Sequence, residues 1–177
     1  IGGRYETDDP EYRRLTQQTF IEFWNKGLVY EDEKTTNYCP ICGTTISDAE
    51  VEYEETETKL NYIKFKIQET NQDLTIATTR PELLCSCRTI IYNPDDKRYK
   101  NLKEKHVIVP IYGHTVKIQP HPYAKTEFGS GLVMICSFGD YGDVRILREL
   151  NLEPVYAIDP KGKMNSNAGK YNGLSVQ

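Results

Sequence analysis

The sequence predicts an α+β fold rich in β structure, a β-barrel-like core with helical insertions. Three observations predict it. One strongly periodic helix stands near the start, at least five short β-type runs follow from residue 60 onward, and Gly, Pro and Asn-Asp punctuation separates those runs at close intervals. With 177 residues, 38% hydrophobic and 27% charged, the chain can bury a real core and is not compositionally disordered.

The elements follow in order. Residues 8–27 form the clearest helix: Asp8 or Asp9 can cap it, Pro10 suits its first turn, and Gly27 ends it. Tyr12, Leu15, Phe20, Phe23 and Trp24 recur at helical spacing, and that stripe is expected to be a packing face. Residues 28–53 are short and irregular around Cys39-Pro40-Ile41-Cys42-Gly43. Leu60 to Ile67 alternates as a strand does, and Leu74 to Thr78 is a second strand. Asn93-Pro94-Asp95-Asp96 marks a turn. Residues 106–112 and 115–119 form a hairpin around Gly113, Leu132 to Cys136 is an apolar strand, a helix follows from Asp140 or Tyr141 to Leu150, and Pro154 to Ile158 is expected as a last strand. Two segments are expected: residues 1–57, a linking helix with a zinc-knuckle-like piece, and residues 58–177, the core. Gly173 to Gln177 reads as the lead-in to another element, so the chain is expected to be a piece of a longer protein.

Composition excludes several functions. No stretch approaches the roughly 20 apolar residues of a membrane span, and the opening Ile1 to Tyr5 carries no apolar leader run. A net charge of −4 argues against tight grip on a phosphate backbone by this piece alone, without excluding a pocket for a nucleotide end. Five unevenly spaced cysteines do not form a disulfide framework, and a reducing cytoplasm is expected. His106, His114 and His121 lack metal-ligand spacing and read as surface residues; no G-x-S-x-G elbow or Walker loop is present.

Two segments concentrate chemistry. Ala77-Thr78-Thr79-Arg80-Pro81-Glu82 packs hydroxyls, a guanidinium and a carboxylate where a strand ends; Pro81 forces Arg80 out of helical geometry, and Glu82 stands where a helix would start. Hydroxyls and free N–H groups there can cradle an ester carbonyl or a ribose, or the segment is a simple turn with threonine caps. Gly129-Ser130-Gly131 opens the apolar strand that ends in Phe138-Gly139-Asp140-Tyr141-Gly142-Asp143. Asp140 and Asp143, three apart, share one helix face and can meet a substrate ammonium, or can cap the helix.

Together and in this order the two segments resemble the editing domain of the class Ia aminoacyl-tRNA synthetases, the connective polypeptide 1 insertion shared by the valyl, isoleucyl and leucyl enzymes. The matching residues are Thr78-Thr79-Arg80-Pro81-Glu82 and Gly129-Ser130-Gly131 through Asp143. Lys26-Gly27-Leu28-Val29-Tyr30 and Asn37-Tyr38-Cys39-Pro40 look like the lead into that insertion, so the likeness covers nearly the whole chain. Glu82-Leu83-Leu84, Phe138-Gly139-Asp140 and Asp143-Val144 are most similar to the valyl branch of archaeal type. Met134 and Cys136 stand where many valyl enzymes carry Lys and Thr, and a leucyl-type reading stays open on Met134; neither adenylate-forming signature of the family is present.

The resemblance implies hydrolysis of threonine esters from the 3′ end of tRNA(Val). A valine pocket rejects threonine weakly because the two are nearly isosteric, the valyl enzymes of that family being the standard illustration, so a second, hydrolytic sieve is needed. By resemblance Asp143 would hold the α-ammonium, Asp140 the threonine hydroxyl, and Thr78 and Thr79 the ester carbonyl or terminal ribose. Arg80 and Glu82 would form an ion pair or place the nucleotide, and Gly131, Met134 and Cys136 would line the pocket, with backbone near Ile108 to Ile111. Editing would need no cofactor. Cys39 and Cys42 have the spacing of half a zinc knuckle, implying a structural zinc in a full-length enzyme and an incomplete site here. The expected partners are the tRNA(Val) 3′ end carrying threonine and the rest of a parent synthetase, with the chain itself monomeric. Leucyl- or isoleucyl-type editing, and a module that binds a tRNA end without hydrolysis, remain the alternatives.

Overall fold

The structure is a computed structural model that describes residues 6–176. The opening five positions, read above as lacking a leader run, and Gln177, the last residue of the expected lead-in, lie outside the described residues. The chain divides into two compact units, Ile1–Thr35 and Thr36–Gln177.

The first unit is built on helix α1, Pro10–Asn25. Asp9 caps it by accepting a hydrogen bond from the Glu11 N–H at 2.8 Å, and Pro10 occupies the first turn, where its missing N–H costs nothing. Gly27, at φ 68°, takes the left-handed turn that ends it. The predicted packing face is not buried. The helix buries none of its residues, and Leu15, Phe20 and Trp24 are more than half exposed. A lone helix has no second layer in its own unit against which to close an apolar stripe.

The second unit is the mixed α+β body. A small hairpin pairs β1 (Asn37–Cys39) with β2 (Thr44–Ile46). The main sheet has six strands: β3 (Asn61–Ile67), β4 (Asp73–Thr78), β5 (Cys87–Tyr92), β6 (His106–Ile108), β7 (Thr115–Pro120) and β8 (Leu132–Cys136). Their order is β4-β3-β6-β7-β5-β8, antiparallel except for β5 beside β7, and the sheet curls until it nearly closes. Phe65, Ile76, Ile90, Val107, Ile118 and Leu132 fill its interior, each at most 2% exposed. Burial of such a side chain stabilises the fold by about 1.5–3 kcal/mol. Helix α2, Tyr141–Glu149, covers the other face of β5 and β8, where Ile146 packs with Ile91, Ala124 and Ile135.

Two sequence expectations are corrected. Strand β5 was not anticipated: it leaves a tight 3-10 turn, Pro81–Ser86, without a break, a bulge falls between Cys87 and Thr89, and Ile90 and Ile91 are buried on opposite faces, so no alternation betrays it. The expected strand from Pro154 to Ile158 does not form; its only ladder contact is an isolated bridge from Ile158 to Met164. Its polar groups are satisfied otherwise. Val155 donates its N–H to Ser137 Oγ at 2.6 Å, and the Tyr156 carbonyl accepts from the Asn165 and Asn167 amides at 2.8 and 2.7 Å.

Candidate active site

The sheet brings together segments more than 50 residues apart. β4 carries Thr78 to the rim, and the Gly129-Ser130-Gly131 turn closes against it. Ser130 Oγ accepts the Ala77 N–H at 3.3 Å. Gly129, at φ 58°, lies so close that a Cβ there would stand 2.6 Å from Ala77 Cβ. A second link lies higher. Arg80 donates from Nη1 to the Gly139 carbonyl at 2.6 Å and from Nε to Glu82 Oε1 at 2.9 Å. The guanidinium fork therefore ties the strand-end motif to the loop before α2, a geometry that only a planar, multi-donor group can span.

Asp143 is the focus of the arrangement. It lies in the first turn of α2, only 9% exposed, and its Oδ2 accepts the Cys136 N–H at 3.1 Å. Gly139 makes room for it: a Cβ there would stand 2.1 Å from Asp143 Oδ2 and 3.5 Å from Leu83 Cδ1. Burial, with the neighbouring Asp140 charge adding to it, pushes the Asp143 carboxyl up to about 7; the Cys136 N–H and the Arg80 guanidinium oppose the rise. A carboxyl so placed gains from any cation that reaches it.

The remaining predicted residues fall as follows. Asp140 is exposed at the N-cap of α2, its Oδ1 accepting the Asp143 N–H at 2.8 Å, so the capping role is real and orients its carboxylate beside Asp143. Thr78 Oγ1 accepts the Arg80 N–H at 3.1 Å, which shapes the turn, while Thr79 is exposed beside it. Met134 and Cys136 on β8 point into the sheet interior, and burial drives the Cys136 thiol well up. Gly131, at φ 80°, backs onto the Arg98–Asp96 ion pair: a Cβ would stand 2.5 Å from Arg98 Nη2. The histidines lie elsewhere, His106 on Glu69, His121 on Glu149 and His114 against the Cys87 carbonyl. Sequence reasoning quoted Gly139, Leu83 and Ser130 within its motifs but gave them no role of their own. Gly139 left a local signal, as the small residue just before the acidic pair.

Comparison with known proteins gives the family. The family model described as tRNA synthetases class I (I, L, M and V) matches residues 3–159. The chain belongs to the class I tRNA synthetases. It is 51% identical over 98% of its length to a valine--tRNA ligase of Aeropyrum pernix, and 56% identical over 91% of its length to one of Nanoarchaeum equitans. The chain spans about a fifth of these relatives, 21% of each. In fold it is similar to an Agrobacterium radiobacter LeuRS solved in a ternary complex with tRNA and LeuAMS, at a TM-score of 0.50 and 14% identity, over 85% of this chain and 28% of that one. No helix among the described residues is long and apolar enough to cross a membrane.

The β1–β2 hairpin carries the expected metal half-site, with Cys39 ending β1 and Cys42 in the turn that follows. The Cys42 N–H donates to Cys39 Sγ at 3.4 Å and the Gly43 N–H to the Cys39 carbonyl at 2.8 Å, the latter with Gly43 at φ 69°. The Cys42 N–H first, then the Cys42 thiol and the Ile41 N–H, hold the Cys39 thiol below its usual value, which favours the thiolate a metal needs. Two donors fit half of a tetrahedral zinc site. Among the described residues no group of three or more His, Cys, Asp or Glu side chains is placed to hold an ion.

Proposed function

We propose that this chain is the editing module of a valyl-type synthetase and that its site hydrolyses the ester linking threonine to the 3′ end of tRNA(Val). The observation that carries the reading is the desolvated Asp143 carboxylate, set beneath Gly139 and beside Asp140, at a rim stitched together by Arg80. Asp143 binds the α-ammonium of the aminoacyl ester; in a site this dry, a charge-assisted bond to it is worth more than in water. Asp140 keeps Oδ1 on its helix cap and offers Oδ2 to the threonine hydroxyl. Valine has no hydroxyl and would leave that oxygen without the bond, which is how such a site prefers threonine.

The chemistry is ester hydrolysis. Water adds to the ester carbonyl, and collapse of the adduct expels the ribose oxygen, which takes a proton to give free tRNA and threonine. This chain's residues fix the ester in place; the neighbouring free hydroxyl of the terminal ribose helps to position the water. Thr78 and Thr79 bound the carbonyl side of the pocket. Arg80 is a positioning residue, since its donors are committed to Gly139 and Glu82.

Substrate choice tests this reading. At high chain concentration, Thr-tRNA(Val) should lose its amino acid while Val-tRNA(Val) and Ile-tRNA(Leu) are spared. Faster loss from Ile-tRNA(Leu) would make the site leucyl-type, and tight binding of a non-hydrolysable threonyl-adenosine without any ester loss would make it a binding module.

A further inference from the structure

Phe138 and Tyr156 form an exposed aromatic pair that the proposed chemistry does not use. Their rings stack with centroids 4.9 Å apart and an interplanar angle of 28°. Exposed apolar rings are costly to hold still, yet this pair is held. Phe138 directly follows Ser137, which is fully buried, donates to the Ser86 carbonyl and accepts the Val155 N–H at 2.6 Å. Tyr156 directly follows Val155, and its own carbonyl is gripped by Asn165 and Asn167. The Ser137 to Val155 bond thus ties together the two backbones that carry the rings. The rings remain open to solvent, Phe138 at 38% and Tyr156 at 59% exposed.

The pair also has a fixed place relative to the acidic site. Phe138 is the residue before Gly139, whose carbonyl Arg80 holds and whose missing Cβ admits the Asp143 carboxylate. Only Gly139 separates it from Asp140, a reach of at most about 7 Å along the chain. On the editing reading, a nucleotide strand whose last ribose carries an ester at Asp143 continues outward from that site, and the exposed ring pair stands beside it. Unpaired bases in single-stranded ends are characteristically bound by stacking on aromatic faces.

We propose that Phe138 and Tyr156 are a stacking platform for the unpaired nucleobase next to the esterified terminal nucleotide of the tRNA. This rests on the editing reading above, because that reading supplies the strand. The platform gives affinity without base identity, since every base has a π-face.

The test uses the full chain and an acceptor-stem RNA whose penultimate base is pyrrolocytosine, which loses fluorescence when stacked. The wild type should quench it on binding. Phe138→Leu and Tyr156→Leu should each abolish the quench and weaken binding by about 5- to 150-fold, the equivalent of one base–aromatic stack. Circular dichroism of these surface variants should match the wild type. Threonyl-adenosine, which lacks the penultimate base, should be hydrolysed equally by all three proteins. Quenching that survives both substitutions, or wild-type binding without quenching, overturns the platform. Quenching lost on substitution in a chain that cleaves no threonyl ester would retain the platform and sink the editing reading instead.

Discussion

Replacing Asp143 by Asn should stabilise the folded chain at neutral and alkaline pH, an unusual outcome for a buried polar residue. Burial lifts its carboxyl from 3.8 to about 7. The folded state therefore binds the Asp143 proton more tightly than the unfolded chain does. The stability contributed by the protonated form is fully present below about pH 4 and is lost as pH rises through about 7. Three pH units at 1.36 kcal/mol each put the loss at about 4 kcal/mol, a large share of an ordinary domain's 5–15 kcal/mol. Asn cannot ionise, keeps an oxygen for the Cys136 N–H, and nearly conserves volume. Urea unfolding followed by far-UV circular dichroism should give similar midpoints for the two proteins below about pH 4, with the variant increasingly more stable up to about pH 7 and the difference level above that. Taking the difference cancels the acid groups that titrate elsewhere. Parallel midpoint curves across that range would refute the claim that Asp143 is held desolvated.

Other perturbations separate the parts of the site. Gly139→Ala must push the Asp143 carboxylate off the Cys136 N–H, so threonyl ester loss should fall at least tenfold, with roughly 1–3 kcal/mol of stability lost in urea unfolding. Arg80→Lys keeps the charge but cannot reach Glu82 and Gly139 together, so kcat should fall more than KM rises, and Arg80→Met should resemble it. Asp96 is held below the usual aspartate range by Arg98, so its stabilising contribution is present above about pH 4 and lost as pH falls further; Asp96→Asn should flatten the acid limb of the midpoint curve. Cadmium titration should show absorbance from two thiolates per ion, lost in Cys39→Ser, because Cys85, Cys87 and Cys136 are buried. Four thiolates per ion in one chain would contradict the half-site.

The legible parts of the sequence were those with local punctuation. Asp9, Pro10 and Gly27 bracket α1, and Asp140 marks the start of α2. Alternation exposes β3 from Tyr62 to Ile67, where Phe65 and Ile67 are buried and Lys64 and Lys66 are not. β5 was hidden because burial on both faces erases alternation. Val155 and Tyr156 looked like strand residues, yet the partners of that segment are side chains of Ser137, Asn165 and Asn167, which no periodicity encodes. The chemistry of Thr78 to Glu82 and of Asp140 to Asp143 could be read as residue types. Their meeting was legible only through the resemblance, because no local pattern encodes the pairing order that places Ser130 on Ala77 and Arg80 on Gly139. The burial of Asp143 was likewise invisible, since it depends on the room that Gly139 leaves and on the Cys136 N–H that meets the carboxylate.

The central claim is that Asp143 anchors a threonyl ester for hydrolysis. Ester loss from Thr-tRNA(Val) at high chain concentration, compared between the wild type and Asp143→Ala, tests it most directly. The account predicts steady release of threonine by the wild type, release by Asp143→Ala reduced to the uncatalysed rate, and valine retained on tRNA(Val) by both. Equal release by the two proteins would contradict it.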